Sequence, residues 1–342
     1  MRVYFGARGQ AIYVAELDEE TGVLTGVQTA GEATRPGFVA LHPDGSTLYA
    51  VERGGEGADD DVVGSFRIDA ATGMLTRLTT QASRGANPTH LVVTPDGKHL
   101  LVAKYDGGSV TSFPIAEDGS LEPAQSHVQH EGSSVHPERQ TKPFAHGVAV
   151  NPDGSTVFVA DLGIDKVLVY DFSSSKLGEV HEVPTSVGGG PRHLVVHPNG
   201  RWVYANNELT NTVEVIQGSE SGWQLVETVS TLPEGYAEES FTAEIFLHPN
   251  GRFLYVSNRG HDSAAVFAID PDSGCLTLIE AVPVHVKAPR GMGIDASGKW
   301  LIACGQDSSD ATVFAVDSET GLLTQSGGPV DVPDSPVCVV FC

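Results

Sequence analysis

Short apolar, strand-like runs follow one another along the whole chain, and six of them begin just after the same kind of polar turn. Its first copy is His42-Pro43-Asp44-Gly45. It returns as Thr94-Pro95-Asp96-Gly97, Asn151-Pro152-Asp153-Gly154, His197-Pro198-Asn199-Gly200, His248-Pro249-Asn250-Gly251 and, in a worn form, Asp295-Ala296-Ser297-Gly298. Proline fixes φ at the second position, and Asp-Gly or Asn-Gly supplies the positive φ of a tight hairpin. Apolar runs flank each copy: Gly37-Phe38-Val39-Ala40-Leu41 precedes the first, and Thr47-Leu48-Tyr49-Ala50-Val51 follows it. Each turn therefore joins two antiparallel strands. The copies lie 46 to 57 residues apart, the period of propeller blades and too long for leucine-rich or ankyrin units.

A second repeated element separates these units. Asp18-Glu19-Glu20-Thr21-Gly22 resembles Asp69-Ala70-Ala71-Thr72-Gly73, Asp270-Pro271-Asp272-Ser273-Gly274 and Asp317-Ser318-Glu319-Thr320-Gly321. It reads as the turn between the outer two strands of a sheet, with glycine in the left-handed position. Four antiparallel strands per repeat make a blade. The tetrads count six complete repeats. Residues 1 to 30 supply three more strands, and Pro336-Val337-Cys338-Val339-Val340-Phe341 supplies an inner strand with nothing after it. Joining tail to head gives a seventh blade and removes the open edges. The prediction is an all-β, seven-bladed β-propeller, one domain over residues 1–342. A β-sandwich would leave the period near 50 unexplained.

Composition narrows the function. The formal net charge is −24, with 20 Lys and Arg against 44 Asp and Glu. That argues against nucleic acid or an anionic membrane as partner, and an anionic ligand would need a locally basic pocket. No apolar run is long enough to span a bilayer, and the first residues lack the apolar core of a signal peptide, so a cytoplasmic protein is expected, monomeric or weakly self-associating. The four cysteines (Cys275, Cys304, Cys338, Cys342) have no metal-ligand spacing and read as free thiols.

Departures from the repeat mark the working face. The longest is the insertion from Gln125 to His146, which carries His127, His130, His136, Arg139 and His146. Its histidine spacing matches no metal motif, and no cofactor or metal is expected. Inner strands begin with Pro88-Thr89-His90, Ala145-His146, Pro191-Arg192-His193, Thr242-Ala243-Glu244 and Pro289-Arg290-Gly291. Second strands end in Glu52-Arg53, Lys104-Tyr105, Asp161, Asn207-Glu208 and Asn258-Arg259. Antiparallel strands one turn apart return to one edge, so His90, His146, Arg192, His193, Glu208, Glu244, Arg259 and Arg290 should ring one mouth of the channel. The arginines offer planar forks to phosphate or carboxylate. The tetrad histidines His42, His197 and His248 belong to the turns and are assigned no chemistry.

The stretch Gly190-Pro191-Arg192-His193-Leu194-Val195-Val196-His197-Pro198-Asn199-Gly200, followed by Tyr204-Ala205-Asn206-Asn207-Glu208-Leu209, resembles the signature of the seven-bladed propeller lactonases. That family includes propeller-type 6-phosphogluconolactonases and carboxymuconate cyclases. The insertion His130-Glu131-Gly132-Ser133-Ser134, with Arg139-Gln140 and His146 beyond it, is similar to its long bacterial branch. The resemblance implies a catalytic set of His146, Arg192, Glu208 and Arg259, and the remaining ring residues His90, His193, Glu244 and Arg290, with Arg139 of the insertion, are expected to bind a small anionic lactone. It implies hydrolysis of 6-phosphogluconolactone by direct water attack, with Glu208 or His146 as the base and the other as proton donor. A muconate-type cyclase or an unphosphorylated sugar lactonase is the alternative. A peptide-binding scaffold fits less well, because aromatics are 7% of the chain and mostly occupy strand positions.

Overall fold

Seven four-stranded antiparallel sheets make up the computed structural model, which describes residues 1–54 and 61–342. Blades 1 to 6 each run outward in chain order from an innermost strand: Phe38–Leu41, Pro88–Val93, Ala145–Val150, Pro191–Val196, Phe241–Leu247 and Pro289–Ile294. Each tetrad joins this strand to the second one, as the sequence predicts. Blade 7 is shared between the two ends of the chain. Pro336–Phe341 lies innermost and pairs antiparallel with Arg2–Ala7 in the register Val3↔Phe341, Tyr4↔Val340 and Phe5↔Val339. Ala11–Leu17 and Leu24–Glu32 complete it. No helix is long and apolar enough to cross a membrane among the described residues.

A blade is too thin to bury its own apolar faces, so the core is divided among the gaps between blades. Seven apolar clusters form, one at each interface; Tyr49, Val51, Leu91, Val102 and Phe113, for example, fill the gap between blades 1 and 2. The turns lock these interfaces. Tyr4, Tyr49, Tyr204 and Tyr255 donate their hydroxyls to the carbonyls of Gly73, Gly119, Gly274 and Gly321, each in the next blade's outer turn. The tetrad histidines act one strand further in. Nε2 of His42, His197 and His248 meets the carbonyl of Gly97, Gly251 and Gly298 at 3.0, 3.0 and 3.1 Å. Gly274 has φ +76 and lies against Trp202 of the preceding blade, so a Cβ there would be both strained and blocked. All four cysteines are free, with Cys304 and Cys338 buried.

Among the described residues, the buried amine of Lys104 has no carboxylate within ion-pair distance. Lys104 ends the second strand of blade 2 and is fully buried. Its ammonium nitrogen contacts Thr111 Oγ1, which in turn lies 2.9 Å from His127 Nδ1. Burial, reinforced by the Arg84 charge, pushes its pKa well below 10.5. The folded state therefore holds fewer protons here than the unfolded chain, and stability rises with pH between the depressed value and 10.5. Lys104→Met is expected to flatten that slope and to raise stability at pH 7 by ~1–3 kcal/mol. Urea unfolding at pH 7 and pH 9 would check both; a slope that survives the substitution would assign it elsewhere.

Candidate active site

The mouth of the ring is built by a repeated irregularity. Pairing between the first two strands slips by one residue in blades 2, 3, 4 and 6, at Pro88/His90, Ala145/Gly147, Pro191/His193 and Pro289/Gly291. Blade 7 slips opposite Gly6/Ala7, and blade 5 between Thr242 and Ile245. An extra residue in one strand re-aims its side chain. The residues so released (Thr89, His146, Arg192, Arg290 and Val337) line a cavity of about 320 Å³ at the mouth. The residue that closes each second strand joins them from the other side: Arg8, Arg53, Tyr105, Glu208 and Arg259 all line the same cavity.

Glu208 is the hub. Its Oε2 accepts from Arg192 Nε at 2.9 Å and lies 3.2 Å from Arg259 Nη2, while Oε1 accepts from Arg139 Nη2 at 2.7 Å. Burial alone would raise its pKa, but Arg259, Arg192 and Arg139 outweigh that and bring it down to about 2. Arg192, only 2% exposed, also donates to the Ala243 carbonyl, and burial lowers its pKa to about 10 despite Glu208. His146 is 3% exposed, and its Nδ1 has no hydrogen-bond partner among the described residues. Burial first, then the Arg192, His193 and Arg290 charges, holds its pKa well below 6.5. At neutral pH His146 is an unprotonated base facing an arginine-rich cavity.

His90 and Glu244 do not reach the mouth. The slip that turns one side chain upward turns its successor to the layer beneath, since side chains alternate along a strand. Phe38, His90 and Glu244 therefore line the closed end of an axial channel whose walls are Val, Leu, Ile and Phe side chains. His193 belongs to the same layer but also touches the mouth cavity. Its Nδ1 lies 2.8 Å from Glu244 Oε1, and its ring packs between those of His90 and His146, with centroids 4.5 and 5.0 Å away. Burial pushes Glu244 up to about 7. These three side chains form a floor rather than part of the expected ring.

The insertion before blade 3 is pinned from both ends. His130 Nδ1 meets Asp161 Oδ2 at 2.6 Å, and Asp161 Oδ1 accepts from the Phe144 and Gly163 amides. Gln140 donates to Asp165 and to the Leu162 carbonyl, and Ser134 donates to Asp165. Held between these anchors, Arg139 reaches across Tyr105 to Glu208. The four histidines thus stand apart: His130 pairs with Asp161, His127 lies at Thr111 and His136 at the Arg139 amide, while His146 faces the mouth. Among the described residues no group of three or more His, Cys, Asp or Glu side chains is placed to hold a metal ion.

Arg8 is a site residue that the sequence reading passes over, and Arg53, placed at a second-strand end, is left out of the expected ring. Arg53 closes the second strand of blade 1 just as Glu208 closes that of blade 4. Arg8 holds the same place in blade 7, where the chain ends interrupt the repeat and no tetrad marks the position. With them, six of the chain's 20 basic residues line one cavity that contains a single carboxylate among the described residues. A protein of net charge −24 therefore carries a local surplus of five positive charges at its mouth.

A ring of seven blades with this charged, imidazole-bearing mouth defines a propeller enzyme. The family model described as "Lactonase, 7-bladed beta-propeller" matches residues 3–341. The chain is 35% identical over 341 residues to the 6-phosphogluconolactonase of Bacillus subtilis, covering 99% of this chain and 96% of that one. It is 34% identical to the 6-phosphogluconolactonase of Pectobacterium carotovorum, over 85% of this chain and 83% of the relative. Among solved structures, the periplasmic gluconolactonase of Pseudomonas aeruginosa superposes with a TM-score of 0.92 at 31% identity, covering 99% and 98% of the two chains. The protein belongs to the seven-bladed propeller lactonase family, and it is a hydrolase of that family.

Proposed function

We propose that the protein hydrolyses 6-phosphogluconolactone to 6-phosphogluconate. The observation that carries this reading is the neutral His146, whose Nδ1 has no partner among the described residues, in a cavity where the single carboxylate among the described residues is already held by three arginines. A water beside His146 loses its proton to the imidazole as its oxygen bonds to the lactone carbonyl carbon. Arg192 and Arg259 stabilise the oxyanion that develops. The imidazolium then returns the proton to the ring oxygen as the carbon–oxygen bond breaks, and the new carboxylic acid ionises to solvent. Of the two bases the sequence leaves open, the geometry favours His146. A carboxylate with a pKa of about 2 is too weak a base and is never protonated near neutrality, so Glu208 orients the arginines instead.

The names of the relatives cover both phosphorylated and plain gluconolactones; the surplus of arginine supports the phosphorylated one. Such a charged sugar does not cross a bilayer unaided, which fits the cytoplasmic location expected from the sequence. Assaying the pure protein on 6-phosphogluconolactone, glucono-δ-lactone and a carboxymuconate tests the assignment, and a preference for either of the last two would overturn it. The pH profile tests the base. Protonating His146 abolishes it, so the acid limb of kcat/KM is expected below pH 6.5, set by the depressed imidazole. A limb above pH 7 would point to another group.

A further inference from the structure

We propose that Arg8, Arg53 and Arg290 form a distinct binding site for a phosphate monoester, gripping the end of the substrate opposite the reacting carbonyl; this rests on the lactonase reading above. The mouth divides by blade. His146, Arg192, Glu208 and Arg259 come from blades 3, 4 and 5, whereas Arg290, Arg8 and Arg53 come from the consecutive blades 6, 7 and 1. The first half carries a carboxylate of its own, and Glu208 engages the arginines there. In the second half, among the described residues, no carboxylate lies within ion-pair distance of Arg8, Arg53 or Arg290, and no hydrogen bond occupies the Arg290 guanidinium. Arg53 makes one, to Asn87 Oδ1 at 3.0 Å, and the Asn87 amide is itself tied to Asp106.

Left alone, this half opposes itself. Burial lowers the pKa of Arg53, and the charges of Arg35 and Arg8 lower it further, outweighing the more weakly felt Asp61 and Asp106. Arg290 is pushed down by burial and then by Arg192 and Arg259. Gathering partly buried like charges without a partner is unfavourable, and a bound anion offsets that cost by favouring the charged guanidiniums. A dianionic phosphate with three acceptor oxygens suits several guanidinium forks at once. The backbone makes room for it. Gly37 stands where blades 3, 4 and 6 carry His146, Arg192 and Arg290, and a Cβ there would come within 2.9 Å of Arg53 Nη2. The missing side chain lets the Arg53 guanidinium lie across the mouth. A cavity of about 320 Å³ lies in the range that encloses a small ligand.

The test compares kcat/KM for 6-phosphogluconolactone and glucono-δ-lactone in the wild type, Arg8→Ala, Arg53→Ala, Arg290→Ala and Gly37→Ala, with inorganic phosphate as inhibitor of the plain lactone. The ratio of the two kcat/KM values is expected to fall ~10–100-fold in each arginine variant. Phosphate inhibition should weaken by a similar factor. Gly37→Ala should move both in the same direction while every arginine is retained, which separates the site from a loss of net charge. An unchanged ratio, equal phosphate inhibition of all variants, or stronger inhibition of the wild type by malonate than by phosphate would overturn the proposal. If the wild type hydrolyses neither lactone, the reaction assigned above fails. Calorimetric phosphate binding to the wild type and to Arg53→Ala still decides the site: equal affinity, or none in the wild type, rejects it.

Discussion

His146→Asn is expected to reduce kcat by ~10²–10⁴-fold while KM for the lactone changes only a few-fold. Asparagine keeps a polar side chain of similar reach but cannot take a proton from water. KM is largely spared because the anion is held by guanidinium groups rather than by the imidazole. His146 spends none of its hydrogen-bonding capacity at Nδ1 on the fold, so thermal stability should stay near that of the wild type. The acid limb of the pH profile should disappear with the imidazole. Steady-state kinetics from pH 4.5 to 8 measures all of this. A variant retaining more than about a tenth of kcat would fall short of the smallest loss expected of a general base and would remove His146 from the reaction.

Glu208→Gln should damage fold and function together. The carboxylate is shared by Arg192, Arg139 and Arg259 at 2.9, 2.7 and 3.2 Å. Removing one partner of a buried ion pair costs ~3–5 kcal/mol, because the remaining charges stay buried without compensation. The glutamine can still accept a hydrogen bond, so the ring closes, but with a lower melting midpoint. Because Glu208 titrates near 2 when folded against 4.5 as a free side chain, its contribution is fully present above pH 4.5. It is lost as pH falls from 4.5 towards 2, and that acid-sensitive component should be missing from the variant. With its arginines no longer held in place, kcat/KM should also fall ~10²-fold. Equal melting midpoints for the two proteins at pH 7 would mean that the hub carries no structural load.

Much of the ring can be read from the sequence because its signals are local. The Pro-Asp-Gly tetrads and Asp-x-x-x-Gly turns set strand edges through backbone φ alone, and the lone inner strand at Pro336 demands a partner at the other end of the chain. His146, Arg192, Glu208 and Arg259 can be found because they stand at one place in successive copies of the repeat. Two things stay out of reach. Whether His90 and Glu244 face the mouth or the channel depends on a one-residue slip that depends on tertiary pairing, and composition carries no trace of it. Arg8 hides because the closing blade is split between the termini and lacks the marker that aligns the others. That three arginines share Glu208 also cannot be read, since Arg139 arrives from an insertion whose path is fixed by His130, Ser134 and Gln140.

The slip between the first two strands of blades 2 to 7 has a wider meaning. In a regular strand, changing the residue aimed at the mouth would press on neighbours committed to the gaps between blades. In those six blades an extra residue stands outside the pairing, and Gly37 holds the matching place just ahead of the regular innermost strand of blade 1, so Gly37, Thr89, His146, Arg192, Ala243, Arg290 and Val337 form seven equivalent seats on one frame. The same frame already seats an imidazole, two guanidiniums, a hydroxyl, a branched alkyl group, a methyl and an empty place. What such a ring can catalyse is limited by the combination in those seats, and a new combination need not be reconciled with the seven cores that hold the ring closed.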